Sequence, residues 1–172
     1  MLGLVPLGSI YEDTGYSLMA FEEGRFLRAQ DGDYDRLILS LGLRWDQSNL
    51  KVPVGEANVP EGFDEDYDSI TGSLGLVCRA TEHFSIAANV GRGWRPPNAF
   101  ELFAFGDHVG AGAFQLGNPD LEEETAISTE LSARFQSRHW RAVLTGFRSD
   151  YSDFIYLVEL TGGGRAQRLW RD

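Results

Sequence analysis

Side chains able to do acid–base, nucleophilic or metal chemistry are few in this sequence, and they are scattered. The histidines are His83, His108 and His139, and the only thiol is Cys78. A single cysteine excludes an internal disulfide and any multi-cysteine zinc or iron–sulfur site. His83 and His139 border short polar segments that read as tight turns, where a solvated imidazole is the simple account. No nucleophile has a base at a spacing that argues for a catalytic pair. The acidic run Glu122-Glu123-Glu124 reads as the solvated start of a strand, so no enzyme and no cofactor is expected. Ligand chemistry gathers in one place, Phe105-Gly106-Asp107-His108-Val109-Gly110, where a carboxylate stands beside an imidazole among glycines. Asp107 and His108 are the candidate ligand contacts, with His108 the candidate metal contact. Two adjacent donors still fall short of the three or four that a zinc site uses.

A second group is structural in character. Arg95 and Glu101 flank Pro96-Pro97 and are expected to pair across the base of a long loop. Pro96-Pro97 on one side and Asn118-Pro119 on the other act as rigid brackets, because proline fixes φ and biases the preceding residue away from helix. Arg95, Pro97, Glu101, Asn118 and Pro119 are therefore the loop-base candidates. Arg92, nearby, shares parity with apolar residues but lies close enough to a strand end to extend its guanidinium outward.

Composition narrows what must position these residues. The chain has 172 residues, 42% hydrophobic and 12% aromatic, as befits an ordered domain or part of one. Its net charge of -11, from 26 acidic against 15 basic residues, opposes a phosphate backbone, so no nucleic-acid partner is expected. No apolar run approaches the roughly 18 residues of a membrane helix, and the best, Leu37 to Leu43, is broken by Ser40 and Gly42. A membrane β-barrel stays open, since alternating strands average to low hydropathy. The opening Met1 to Pro6 lacks the basic start of a secretory signal, so either the protein is not exported or its front end is missing.

The dominant period is two. Leu37, Leu39, Leu41, Leu43 and Trp45 share one parity, and Ile38, Ser40, Gly42, Arg44 and Asp46 the other. Phe84, Ile86, Ala88 and Val90 separate in the same way from Ser85, Ala87, Asn89 and Gly91, as do Ile127, Leu131, Ala133 and Phe135 from Ser128, Glu130, Ser132 and Arg134. Weaker alternation covers Tyr16 to Glu23, Ile70 to Arg79 and Trp140 to Tyr151, and Gln167 to Arg171 offers a further strand. Six strands and a seventh candidate follow. Their connections alternate: a medium one around Gln30 to Asp33, a long one from Gln47 to Tyr67, a tight one at Ala80-Thr81-Glu82, a long one from Pro96 to Glu124, and a tight one at Ser137-Arg138. Short turns on one edge and long loops on the other are what outer-membrane barrels show. Trp45 and Trp94 end strands at the long-loop edge, and Phe84, Phe135 and Trp140 sit at the short-turn edge, like two interfacial girdles. At roughly 3.3 Å per residue and a tilt of about 40°, Phe84 to Trp94 spans a band about 25 Å tall. A soluble all-β domain with aromatics at its strand ends is the competing account of this pattern.

The stretch Ala88-Asn89-Val90-Gly91-Arg92-Gly93-Trp94-Arg95-Pro96-Pro97-Asn98-Ala99-Phe100-Glu101-Leu102-Phe103, then Gly117-Asn118-Pro119-Asp120-Leu121 and Glu124, resembles the barrel domain of TonB-dependent outer-membrane receptors. Asp153-Phe154-Ile155-Tyr156-Leu157 fits the same family. The resemblance is strongest from Ser69 to Leu157. It implies an all-β fold in which an antiparallel up-and-down meander forms part of a transmembrane β-barrel, about 6–7 of 22 strands. It also implies uptake of a scarce nutrient such as a ferric siderophore, zinc or a similar metal complex, in the outer membrane of a Gram-negative bacterium. The implied partners are outer-membrane lipid, the plug domain and TonB of the full-length receptor, and a small nutrient or metal-chelate ligand. Some zinc-import receptors of this family carry a histidine-richer version of the 105–110 segment, and Phe105 here stands where a second histidine would sit.

Residues 1–172 show neither a plug nor a recognisable TonB box, and are expected to be a fragment of the barrel domain. A small closed outer-membrane barrel and a soluble all-β binding protein are the alternatives. Three expectations separate them. Strands from Tyr16 to Tyr151 should pair antiparallel with their neighbours, without parallel pairs or a substantial core helix. The apolar parities should face outward rather than pack together as a core. The isolated chain should be poorly soluble, because its terminal strands lack partners.

Overall fold

The computed structural model describes residues 11–28, 35–55, 61–108, 113–160 and 167–172. Six long strands form one sheet: β1 (Glu12–Arg28), β2 (Asp35–Val52), β3 (Phe63–Arg79), β4 (Phe84–Arg95), β7 (Glu124–Gln136) and β8 (Arg141–Ser152). They lie in the order β1-β2-β3-β4-β7-β8, each antiparallel to the next. The sheet is open, with β1 and β8 at its edges among the described residues.

Alternation explains the register. A one-residue slip would move a whole apolar set to the other face, so across the inner strands β2, β3, β4 and β7 pairing aligns like with like. Leu39 faces Leu76, Leu76 faces Ala88, and Ala88 faces Leu131, while Leu41, Leu74 and Val90 form the next row. These rows are not packed into a core: Leu41, Leu74 and Leu131 are 46%, 45% and 59% exposed. The tight turns close by local chemistry. Ala80 and Thr81 donate their amides to the Phe84 carbonyl, and the Thr81 hydroxyl accepts from the amides of His83 and Phe84. Trp140 donates its amide to the Ser137 hydroxyl at 3.2 Å, and its carbonyl accepts from the Ser137 amide at 2.8 Å.

Two expectations need correction. The connection assigned to Gln47–Tyr67 is mostly strand, paired from Gln47↔Asp68 through Val52↔Phe63. The buried parity switches there: Leu50 and Val52 lie on the face opposite Leu37 to Trp45, so the alternation read from the apolar band does not run through the connection. Residues Gln167–Arg171 are not a seventh strand of the meander. They form β10 of a second, four-stranded sheet with β5 (Phe105–His108), β6 (Ala113–Leu116) and β9 (Tyr156–Leu160), ordered β5-β6-β10-β9. There β10 runs parallel to β6 over three residue pairs, Gln167↔Phe114 to Leu169↔Leu116. The expectation of no parallel pairing therefore holds in the meander and fails between its long connections, which meet without the constraint of a hairpin. The connection around Gln30 to Asp33 lies outside the described residues.

A buried core does exist, at the long-loop edge. Leu50, Val52, Tyr67, Ala99, Leu102, Phe103, Leu121 and Ile155 form it, with Phe63, Trp94 and Trp170 packed alongside. Phe63 and Phe103 meet edge to face at 4.9 Å. The core thus joins the strand extensions to residues 99–103 and to the segments holding Leu121 and Ile155, with Trp170 of β10 alongside, rather than lying under the meander.

Candidate functional site

The loop base starts from a helix signal. Asn98 precedes a single turn, α1 (Ala99–Phe103), and its Oδ1 accepts from the amides of Phe100 at 2.9 Å and Glu101 at 3.0 Å. Glu101 Oε2 accepts from the Asn98 amide at 2.9 Å, completing a reciprocal capping box. Pro97, next to the cap, contributes a fixed φ without a donor to satisfy.

This turn holds the Glu101 carboxylate, itself only 8% exposed, against Arg95 at the end of β4. Arg95 Nη1 donates to Glu101 Oε1 at 3.1 Å and Oε2 at 2.9 Å, and Nη2 donates to Glu124 Oε2 at 3.1 Å. Burial works to lower the Arg95 pKa, but the hydrogen bonds and charges of Glu101 and Glu124 outweigh it and hold the guanidinium charged. Glu124 Oε2 also accepts from the Ile155 amide at 3.2 Å, so one carboxylate ties β7, β4 and the segment after β8. Beside it, Trp94 Nε1 donates to Glu123 Oε2 at 2.9 Å. The run Glu122-Glu123-Glu124 is therefore not simply a solvated strand start. The register Arg95↔Glu124 brings two of its members onto partners that sequence spacing does not reveal.

Asn118 joins the same base through its backbone: its amide donates to the Glu101 carbonyl at 2.9 Å. Its side-chain oxygen accepts from the Asp120 amide at 3.1 Å, an Asx turn around Pro119. Gly117 donates to the Ala104 carbonyl at 2.6 Å. A Cβ on Gly117 would collide with the Leu102 carbonyl, so only glycine permits this approach. Arg92 is exposed near the end of β4. It donates to Ser69 Oγ at 2.8 Å and to the Ile70 carbonyl at 2.6 Å, bridging β4 to β3.

Asp107 and His108 lie in β5, opposite Phe114 and Ala113. Their side chains, with Val109 and Gly110, lie outside the described residues. Among the described residues no three histidine, cysteine or carboxylate side chains converge as metal ligands. His83 and Phe135 meet edge to face with ring centroids 6.4 Å apart. At the outer edge, Tyr151, Phe154 and Tyr156 form an exposed ladder with centroid separations of 5.2 and 6.5 Å. Sequence reasoning missed this ladder, because Phe154 and Ile155 fall outside any alternating run. The Asn98-x-x-Glu101 spacing was the available signal for α1.

Residues 11–169 match the family model described as TonB dependent receptor-like, beta-barrel. The chain belongs to the TonB-dependent receptor β-barrel family. This TonB-dependent receptor chain is 27% identical over 139 residues to the probable TonB-dependent siderophore receptor PirA of Acinetobacter baumannii, covering 72% of the chain and 18% of that protein. It is 31% identical over 104 residues to the ferric enterobactin receptor PirA of Pseudomonas aeruginosa, covering 52% of the chain and 14% of the relative. The chain thus spans under a fifth of the length of these curated relatives. The hemophore receptor HasR of Serratia marcescens, solved with its hemophore HasA and heme, superposes with a TM-score of 0.71 over 93% of the chain and 29% of HasR. At 18% identity that likeness is one of fold.

Proposed function

We propose that residues 1–172 are a portion of the barrel domain of an outer-membrane receptor for active uptake of a scarce nutrient, a ferric siderophore or similar metal complex, in a Gram-negative bacterium. The observation that carries this reading is the meander itself. Six antiparallel strands keep one apolar face exposed and uncovered, with all buried packing displaced to the long-loop edge. A soluble binding domain would put that face inside, and a small closed barrel would pair β1 with β8. The relatives named for siderophores and enterobactin favour an iron chelate as cargo.

In this reading lipid contacts the apolar parity, and the Arg95–Glu101–Glu124 base holds the outer loops at a set angle to the barrel wall. The Tyr151–Phe154–Tyr156 ladder offers flat apolar faces to a ligand arriving from outside, and Asp107 and His108 are the candidate ligand contacts of the 105–110 segment. A plug domain and TonB supply closure and energy in the full-length receptor.

Deleting the gene in its host and measuring uptake of radioiron-labelled catecholate siderophore, heme and labelled zinc under starvation tests the proposal. Loss of one activity, restored by the gene, is the expected result. Undiminished uptake of every metal complex tried would overturn it. A plug-coding segment upstream in the same reading frame would decide for an importer over a passive barrel.

A further inference from the structure

The short-turn edge carries charge opposite to the rest of the molecule. In a chain of net charge -11, residues 79–85 and 134–141 hold Arg79, Arg134, Arg138 and Arg141 against a single acid, Glu82. Arg79 pairs with Ser85 across β3–β4, and Ser85 with Arg134 across β4–β7, so the two arginines lie in one row on either side of Ser85. Their parity is opposite to that of Phe84 and Phe135, which puts them on the polar face of the sheet. Arg79 is half-buried, yet Arg79, Arg134 and Arg138 have no carboxylate partner among the described residues. They line a hollow of about 630 Å³ between the two tight turns, where the three guanidinium groups outnumber the one lining carboxylate, Glu82.

We propose that this hollow is an anion site that takes an extended acidic peptide segment. Unpaired guanidinium groups converging on one hollow are the recurrent means of reading carboxylate-rich motifs. The dimensions select the occupant. Two strand spacings separate Arg79 from Arg134, roughly 9.6 Å between backbones, and both line the hollow with Ser85 between them. Alternate residues of an extended chain are about 6.6 Å apart, so carboxylates two positions apart meet one arginine each. A lone small anion would fill little of a hollow with room for about 20 waters. A lipid headgroup is disfavoured because the arginines are on the face opposite the apolar parity. The proposal borrows from the uptake reading only which face is inner, and it is independent of the cargo.

The test is fluorescence anisotropy with a labelled Asp-Glu-Asp-Glu-Asp-Glu peptide and the full chain in detergent micelles, its sheet checked by circular dichroism. Saturable binding is expected at about 10 mM salt and its loss near 1 M, where the screening length shrinks roughly tenfold. Binding should weaken by about tenfold or more in R79Q/R134Q, less in R79K/R134K, and not at all in R148Q. Equal binding by R79Q/R134Q, or no saturable binding by the unsubstituted chain, would overturn the proposal. So would inorganic phosphate displacing the peptide at matched concentration, which marks a small-anion site. A Lys variant as defective as the Gln variant would trace the loss to altered structure and would also overturn it. Uptake of the nutrient can succeed while this binding fails, and the reverse.

Discussion

Replacing Arg95 with alanine would test how the loop base is held. The change removes three charge-assisted hydrogen bonds and leaves Glu101, 8% exposed, and Glu124, 14% exposed, without their cation. Losing one partner of a fully buried pair costs about 3–5 kcal/mol. Two facts reduce that figure. Arg95 is 42% exposed, so solvent screens the pairs, and each carboxylate keeps a backbone donor, Asn98 for Glu101 and Ile155 for Glu124. About 2 kcal/mol remains, or roughly a 30-fold rise in local opening. Hydrogen exchange on the folded chain in micelles is the measurement. The amides of Asn98, Glu101, Asn118 and Ile155 should exchange about 30-fold faster, while Leu74, Val90 and Leu131 in the meander stay unchanged. E101Q keeps the shape and an acceptor and should show a smaller rise. Unchanged exchange at Ile155 and Asn98 would refute the assigned role, and equal acceleration in the meander would show that the ion pairs support the whole sheet.

Three further outcomes follow from other parts of the molecule. Leu41→Arg places a charge in the middle of the apolar band and should cost about 2–4 kcal/mol on folding into lipid bilayers, whereas Ser128→Arg on the opposite face should be nearly neutral; equal effects in a vesicle folding assay would contradict the facing assigned here. Gly117→Val forces its side chain into the Leu102 carbonyl and should undock α1, seen as protease cleavage within 99–118 with the meander intact. Burial foremost, then the charges of Glu65 and Glu123, push the Tyr67 phenol up to about 12. Because the folded value lies above the usual tyrosine value of about 10, its contribution is full below pH 10 and is lost as pH rises toward 12. Ultraviolet titration should show one late tyrosinate that disappears in Tyr67→Phe.

The alternating half of this protein was legible from residue types alone. Leu37 to Trp45 and Phe84 to Trp94 announce strands because one apolar and one polar face write a period of two into the chain. Ala80-Thr81-Glu82 and Ser137-Arg138 announce turns because their hydrogen bonds are local. The resemblance carried by Arg95-Pro96-Pro97 and Gly117-Asn118-Pro119 pointed to the family. What lies beyond the apolar band was decided by tertiary structure. Gln47–Val52 and Phe63–Asp68 are strand whose buried residues, Leu50, Val52 and Tyr67, lie on the face opposite the apolar band, so the period read from Leu37 to Trp45 does not extend into them. The core unites Leu50, Tyr67, Leu102 and Ile155 from four separate segments, and no local pattern connects them. Glu124 looked like one of three solvated acids until the β4–β7 register set it opposite Arg95. A pairwise contact between residues 29 positions apart depends on strand register, and register is a property of the assembled sheet.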